Sequence, residues 1–417
     1  MTHPKILIKN IRELVQVDHA PTGMATGERM GQLPTLKQAW LAIENGRIAD
    51  FGSMDTLHGV TDWNNLEVID ADGKMVFPSW CDSHTHTVYA GSREQEFVDR
   101  INGLSYAEIA ARGGGILNSA QRLREASEEE LVASAWQRLE EIQRHGTGAV
   151  EIKSGYGLTL ESELKMLRVI RQLKEKSPLT IKATLLAAHA LPAEYKTNRE
   201  GYLNLIINDL LPRVADEGLA EYMDVFCETG YFTPEETDRL LEAGDRAGLR
   251  AKIHVNQFTA IGGIATAVQH NALSVDHLEV VTPEDLEVLR NGSTIATLLP
   301  SCSLFLSIPY APARDLITAN VPVALASDFN PGSTPSGNMS LVVALGCIKL
   351  GMTPEEAIQA ATRNGAHAMD LGETHGSIAV GKVANLFITN PIPSYAYVPY
   401  AFGSNLVETV ILNGKVC

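Results

Sequence analysis

Between roughly residues 77 and 372, short apolar runs alternate eight times with amphipathic stretches, and this alternation restricts the fold more than any other feature of the chain. The runs are MVFPSWCDSH, GAVEIKSGY, IKATLLAAH, YMDVFCET, RAKIHVNQ, LSVDHLE, TIATLLPS and PVALASDF. Apolar strands alternating with helices make a parallel sheet wrapped by helices, and eight such strands predict an α/β fold of the closed (β/α)8 barrel type. The helix starts between the strands are legible. Thr233-Pro234, Thr282-Pro283 and Thr353-Pro354 each offer a hydroxyl cap, proline at the first helical position and an acidic first turn, where negative charge suits the helix dipole. Ser127 with Glu130 spells a capping box, and Leu131, Ala135, Leu139 and Ile142 predict a packed apolar stripe behind it.

The two ends of the chain read differently. ILIKNIREL, AWLAIENGRIADFG and LEVIDADGKMVF near the start, and VANLFIT and LVETVILNGKV near the end, predict strands, with Asn45-Gly46 and Asn413-Gly414 as two-residue hairpin turns. Residues 1–76 and 373–417 are therefore expected to pair into one small β-sandwich domain beside a barrel of residues 77–372. A chain of 417 residues that is 45% hydrophobic is long enough for both. The net charge of -16 argues against nucleic acid or a membrane surface as partner, yet leaves room for a small anionic substrate held by local positive charge. No apolar run reaches the length of a membrane span. Five cysteines without a CxxC pair read as reduced thiols of a cytoplasmic protein, each a small buried residue.

Barrel enzymes carry their chemistry at the C-terminal ends of the strands, so the polar residues there are the candidates. His84 and His86 end the first strand, two apart and so on one face. Tyr156 follows the second, His189 ends the third, His254 lies in the fifth, His277 ends the sixth and Asp328 ends the eighth. A single strand-end histidine is more often a packed core residue, but so many converging on one rim point to a catalytic metal site. Three imidazoles and a carboxylate suit Zn²⁺ or Fe²⁺/Fe³⁺. The fourth strand, YMDVFCETG, has no lysine to bridge two metals, so one divalent metal per subunit is expected. The run Gly113 to Gly115 lacks the residues of a phosphate loop and reads as a loop near the site mouth.

With these residues in view, the chain resembles the amidohydrolase superfamily and, within it, the imidazolonepropionase family. The most specific pieces are DSHTHTVYAGSREQEF, SYAEIAARGGGI, VEIKSGYGL, KIHVNQF, DHLE and SDFNPGS. The resemblance implies metal ligands at His84, His86, His254 and Asp328, and substrate contacts at Arg93, Tyr106, Tyr156, His189, Asn330, Gly332 and Ser333. It implies hydrolysis of the ring C–N bond of 4-imidazolone-5-propanoate to N-formimino-L-glutamate, without an organic cofactor, and a homodimer. In that reaction an acidified water on the metal would attack, Asp328 would take its proton, and His277 would polarise the carbonyl or relay a proton. Arg93 would grip the propionate through two parallel hydrogen bonds, although pairing with Glu94 or Glu96 is the plain alternative.

One position departs from the pattern. Many relatives carry glutamate three residues after the strand-five histidine, and here it is Gln257. An amide cannot shuttle protons, so Gln257 reads as a contact to the N–C=O edge of the ring. Two alternatives stay open, another cyclic-amide hydrolase or deaminase of the superfamily, and a non-catalytic barrel kept as a scaffold.

Overall fold

The computed structural model describes residues 5–19, 23–59, 64–104, 108 and 114–417. Its centre is an eight-stranded parallel sheet in strict sequence order: β6 (Trp80–Asp82), β7 (Thr147–Lys153), β8 (Thr180–Ala188), β9 (Tyr222–Cys227), β10 (Arg250–Val255), β11 (Ser274–His277), β12 (Ile295–Leu298) and β13 (Val323–Leu325). Every residue of β7, β9, β11 and β12 is buried, as expected for strands covered on both faces. The ring closes just beyond the named strands through a parallel bridge between Thr85 and Phe329. There the His86 amide donates to Phe329 O at 2.9 Å, and the Asp328 amide donates to His84 O at 3.0 Å. Ser327 tightens the seam by donating through its amide and its hydroxyl to Asp82, at 2.9 and 2.6 Å.

The expected caps are present as full capping boxes at Ser127, Thr233, Thr282 and Thr353. Each satisfies orphan amides of a first turn and contributes about 1 kcal/mol. Leu131, Ala135, Leu139 and Ile142 are all buried, so that helix packs through this stripe.

The chain ends join in a second sheet of β1 (Lys5–Val15), β2 (Thr35–Glu44), β3 (Arg47–Ser53), β4 (Leu66–Asp70), β5 (Met75–Pro78), β14 (Leu386–Thr389), β15 (Val407–Leu412) and β16 (Lys415–Val416). It is one hydrogen-bonded mixed sheet built from both chain ends, as expected, with a small apolar core of its own that includes Ile8, Leu14, Leu41, Ile43, Leu386 and Ile411. Asn45-Gly46 and Asn413-Gly414 make the hairpin turns, all four residues at positive φ as a two-residue turn of this kind requires.

MVFPSWCDSH is not the single barrel strand that the sequence suggests. Met75–Pro78 pairs with β1 and β14 in the mixed sheet, and only Trp80–Asp82 belongs to the barrel. The mixed-sheet side continues one residue past Pro78, with the Ser79 amide donating to Asn385 O at 2.9 Å, and Trp80 then takes up a new partner by donating to Gly146 O at 2.9 Å. The cysteines also divide. Cys81, Cys227 and Cys302 are buried, Cys347 is half-buried and Cys417 is exposed, and all five are free thiols. The Cys417 thiol, beside the short strand β16, donates only to Lys415 O at 3.6 Å among the described contacts. Among the described residues no helix is long and apolar enough to cross a membrane.

Candidate metal and substrate site

At the C-terminal rim of the barrel, the Nε2 atoms of His84 and His86 lie 3.3 Å apart, and those of His86 and His254 lie 3.4 Å apart. Asp328 Oδ1 stands 3.6 Å from His84 Nε2 and 3.5 Å from His86 Nε2. Four donors with bonds of about 2.1 Å to one tetrahedral cation would be separated by about 3.4 Å, so the spacing fits. The protonation pattern fits as well. His84 Nδ1 is bound to Asp276 at 2.6 Å and His254 Nδ1 to Asp224 at 2.8 Å. Carboxylates there hold the ring proton on Nδ1 and leave the Nε2 lone pair facing the centre. Burial first, with the neighbouring imidazoles and the Lys153 ammonium behind it, pushes His84 and His86 well below the ordinary imidazole range. Both rings are thereby kept in the neutral form that binds metal.

Beneath these rings lies a layer of buried charge. Lys153 donates to Glu151 at 2.5 Å and pairs with Asp224 at 2.9 Å and Asp276 at 3.7 Å. Lys252 pairs with the other oxygen of Glu151 and donates to Ser83 O at 2.8 Å. Burial alone would lower the Lys153 pKa, but the carboxylates of Asp224, Glu151 and Asp276 outweigh it and hold Lys153 above its ordinary value. Two ammonium groups facing three carboxylates leave negative charge to spare under the rim, which suits a cation above. The sequence shows these residues only as charges inside apolar strands, in VEIKS, YMDVFC, AKIHV and SVDHL. Charge at an inward position of a buried strand is the signal that would have found them.

The backbone turns sharply where the strands deliver these groups. Asn256, His277, Leu278 and Asp328 all have positive φ, with His277 at 92°. Such conformations cost on the order of 1–3 kcal/mol each and persist where the surroundings enforce them.

A cavity of about 510 Å³ opens above the donors. Its lining includes His86, Arg93, Tyr156, His189, His254, Gln257, His277, Asp328, Asn330, Gly332 and Ser333. Every candidate from the sequence is thus brought together here or directly below, except Tyr106, which lies outside the described residues. The His189 ring stacks on His86 at 5.3 Å, and Gly155 O accepts from its Nδ1 at 3.1 Å. Burial lowers His189 to about 3, so it too is neutral. Asn330 is engaged at both ends of its amide: Oδ1 accepts from the Gly332 and Ser333 amides, and Nδ2 donates to Asp328 O and Ser333 Oγ. It holds the loop that carries Asp328. A Cβ at Gly332 would stand 2.2 Å from Arg93 Nη1, so any side chain there would displace that guanidinium.

The sequence offered Glu96 only as a surface partner for Arg93 and did not point to Arg100, yet both line the cavity. Arg93 donates to Glu96 at 2.5 Å, and the two side chains are only 11% and 15% exposed, so this is not the surface pair first considered. Burial raises the Glu96 carboxyl, but its bond to Arg93 and that guanidinium's charge outweigh it, and the net shift is downward. Arg100 lies over the Phe305 ring and donates to Gly332 O at 3.3 Å. An EQEFVDRI helix that turns both Glu96 and Arg100 inward shows no apolar stripe to mark that face. On the opposite wall Gln257 Nε2 donates to Cys302 Sγ at 3.4 Å, and His277 Nδ1 stands 3.5 Å from Glu279. Burial alone would lower His277, yet Glu279 reverses this and leaves it above its ordinary value.

A parallel barrel with three imidazoles and a carboxylate at its rim defines a metal-dependent hydrolase. The family model described as amidohydrolase family matches residues 98–417. An imidazolonepropionase of Christiangramia forsetii is 60% identical over 99% of both chains, and one of Flavobacterium johnsoniae is 61% identical over 98% of this chain and 99% of its own. Among solved structures, E. coli guanine deaminase is similar with a TM-score of 0.74 at 13% identity, covering 100% of this chain and 99% of that one. An adenosine deaminase from Xanthomonas campestris with bound zinc is similar at 0.71 and 16%, covering 99% and 92%. The chain belongs to the amidohydrolase family and, within it, to the imidazolonepropionases. Family and donor geometry together mark the rim as a divalent-metal site.

Proposed function

We propose that this chain hydrolyses the ring C–N bond of 4-imidazolone-5-propanoate to N-formimino-L-glutamate, a step of histidine degradation. The observation that carries the reading is the placement, in one cavity, of a metal-donor cluster at the bottom and the guanidinium groups of Arg93 and Arg100 near the top. His84, His86, His254 and Asp328 would hold one ion, zinc or iron. Such an ion, when bound, supplies Lewis acidity and acidifies a water to the point of nucleophilicity near neutral pH. The protein's own groups do the rest. Asp328 accepts the proton of the attacking water and passes it on. His277, positioned by Glu279, donates toward the carbonyl oxygen on which charge develops.

Gln257 both donates and accepts, matching an N–H beside a C=O on the ring. Arg93, already aligned by Glu96, meets the propionate, with Arg100 as a second positive charge. Tyr156 and His189 form the wall against which the ring packs. Residues 1–76 and 373–417 serve as the accessory unit of a 77–372 barrel, and a cytoplasmic homodimer completes the reading, supported by the family resemblance.

The test is a panel of imidazolone propionate, hydantoin propionate and free nucleobases assayed on enzyme of known metal content. Turnover confined to imidazolone propionate is expected. Equal or faster hydrolysis of hydantoin propionate, or deamination of a nucleobase, would assign the barrel to another ring.

A further inference from the structure

Beside the four converging donors, three more side chains of mixed chemistry face one another: the His277 imidazole, the Glu279 carboxylate and the Cys302 thiol of the helix Pro300–Leu306. One ligand atom of each lies within 4.8 Å of the other two. The residues are 3%, 6% and 0% exposed, so any polar atom among them needs a partner. Two lack one. His277 Nδ1 and Glu279 Oε2 have no hydrogen-bond partner among the described residues. His277 Nδ1 and Glu279 Oε1 stand 3.5 Å apart, close to the edge of about 3.4 Å expected around tetrahedral zinc. The other two groups are already oriented from behind, since Ser303 Oγ donates to Glu279 Oε1 at 3.1 Å and Gln257 Nε2 donates to Cys302 Sγ at 3.4 Å.

We propose that His277, Glu279 and Cys302 form a second metal site, adjoining the four-donor cluster at Asp328, which takes a thiophilic divalent ion such as Zn²⁺ or Cd²⁺ when that ion is in excess and thereby switches the enzyme off. The charges balance. A neutral imidazole, a carboxylate and a thiolate bring two negative charges to a doubly positive ion, and the thiol proton leaves to solvent as the ion enters. The sulfur sets the selectivity, favouring Zn²⁺ and Cd²⁺ over the hard ions Mg²⁺ and Ca²⁺. Occupation draws the His277 ring away from the substrate carbonyl. The binding stands on this geometry alone, whereas the loss of turnover also rests on the role given to His277 above.

The experiment titrates enzyme carrying one metal per chain with Cd²⁺, reading bound cadmium, thiolate-to-metal absorption in the ultraviolet and turnover together. One further equivalent is expected, with the absorption band and at least a tenfold fall in turnover, all reversed by a weak chelator that leaves the first metal in place. Cys302→Ser should keep the starting turnover and lose the band, the extra equivalent and the inhibition. Cys302→Ala should do the same. Cys417→Ser, which removes the exposed thiol, should change none of the three. A band and inhibition that survive in both Cys302 variants, or that vanish with Cys417→Ser, overturn the site, and a band without loss of turnover overturns the switch. Enzyme inactive on imidazolone propionate before any cadmium is added speaks against the proposed reaction instead, and the band and stoichiometry then still decide the site.

Discussion

Beneath the metal donors every charged side chain is fully buried and tied to a fixed neighbour, whereas at the cavity mouth Arg93, Glu96 and Arg100 are half-buried and can exchange partners. The lower layer bears the larger desolvation cost, and removing one member strands its partners in a medium that cannot solvate them. What it secures is the direction of two ring nitrogens. The mouth faces the opposite demand, because its cations must accept a carboxylate that arrives and departs, and a guanidinium already aligned by Glu96 is close to the needed pose. The same kind of interaction, an ion pair, serves permanence in one place and exchange in the other, and the difference is water.

Perturbations at five places would break or sharpen this contrast. Removing the metal by chelation should abolish turnover, and a divalent ion should restore it; full turnover in metal-free protein would leave the lower layer without its purpose. His277→Ala should lower kcat by about a hundredfold or more while metal content stays constant, since only this imidazole on the substrate side can exchange a proton near neutral pH. Arg93→Met should cost about 2–4 kcal/mol in kcat/KM for substrates bearing the propionate and much less for a tail-less ring. Equal losses for both would make Arg93 a structural partner of Glu96 and no more.

Asp224→Asn should weaken metal affinity by about ten- to a hundredfold, because an amide no longer fixes the His254 proton on Nδ1; equilibrium dialysis against a competing chelator reads this directly. Smallest is Gln257→Ala, for which a several-fold rise in KM with little change in kcat is expected. Gln257→Glu should retain part of the activity and add an ionisation to the pH-rate profile, measured with metal content fixed. A Gln257→Ala enzyme that binds normally yet fails to turn over would reverse the roles assigned to Gln257 and His277.

Much of this was legible in the sequence where a rule of local geometry applies. Strand-helix alternation counts the barrel strands, capping boxes mark helix starts, and two histidines at a spacing of two share a face. The break inside MVFPSWCDSH was not legible, because both parts are extended and buried and only tertiary pairing tells that β5 turns to the mixed sheet. Nor was the embrace of Lys153 by Glu151, Asp224 and Asp276, residues from three different strands whose meeting depends on barrel register. Glu96 read only as a surface partner of Arg93, and nothing along the chain pointed to Arg100 before the opposite wall was in place. Cys302 read as filler because nothing in its neighbourhood along the chain points to Glu279.

The seam at Thr85 and Phe329 bears on how the protein comes into being. The two edges that meet there are far apart in the chain, with Asp82 and Ser327 separated by 245 positions, and the ligand-bearing residues sit on both lips. During synthesis His84 and His86 leave the ribosome early and must wait for nearly the whole remaining barrel before Asp328 arrives. With His84, His86, His254 and Asp328 as ligands, a metal would find its full complement of donors only once the last strand is docked, and would then span the joint. Opening the ring would cost that ion a ligand, so metal supply during expression should raise the share of the chain that survives proteolysis.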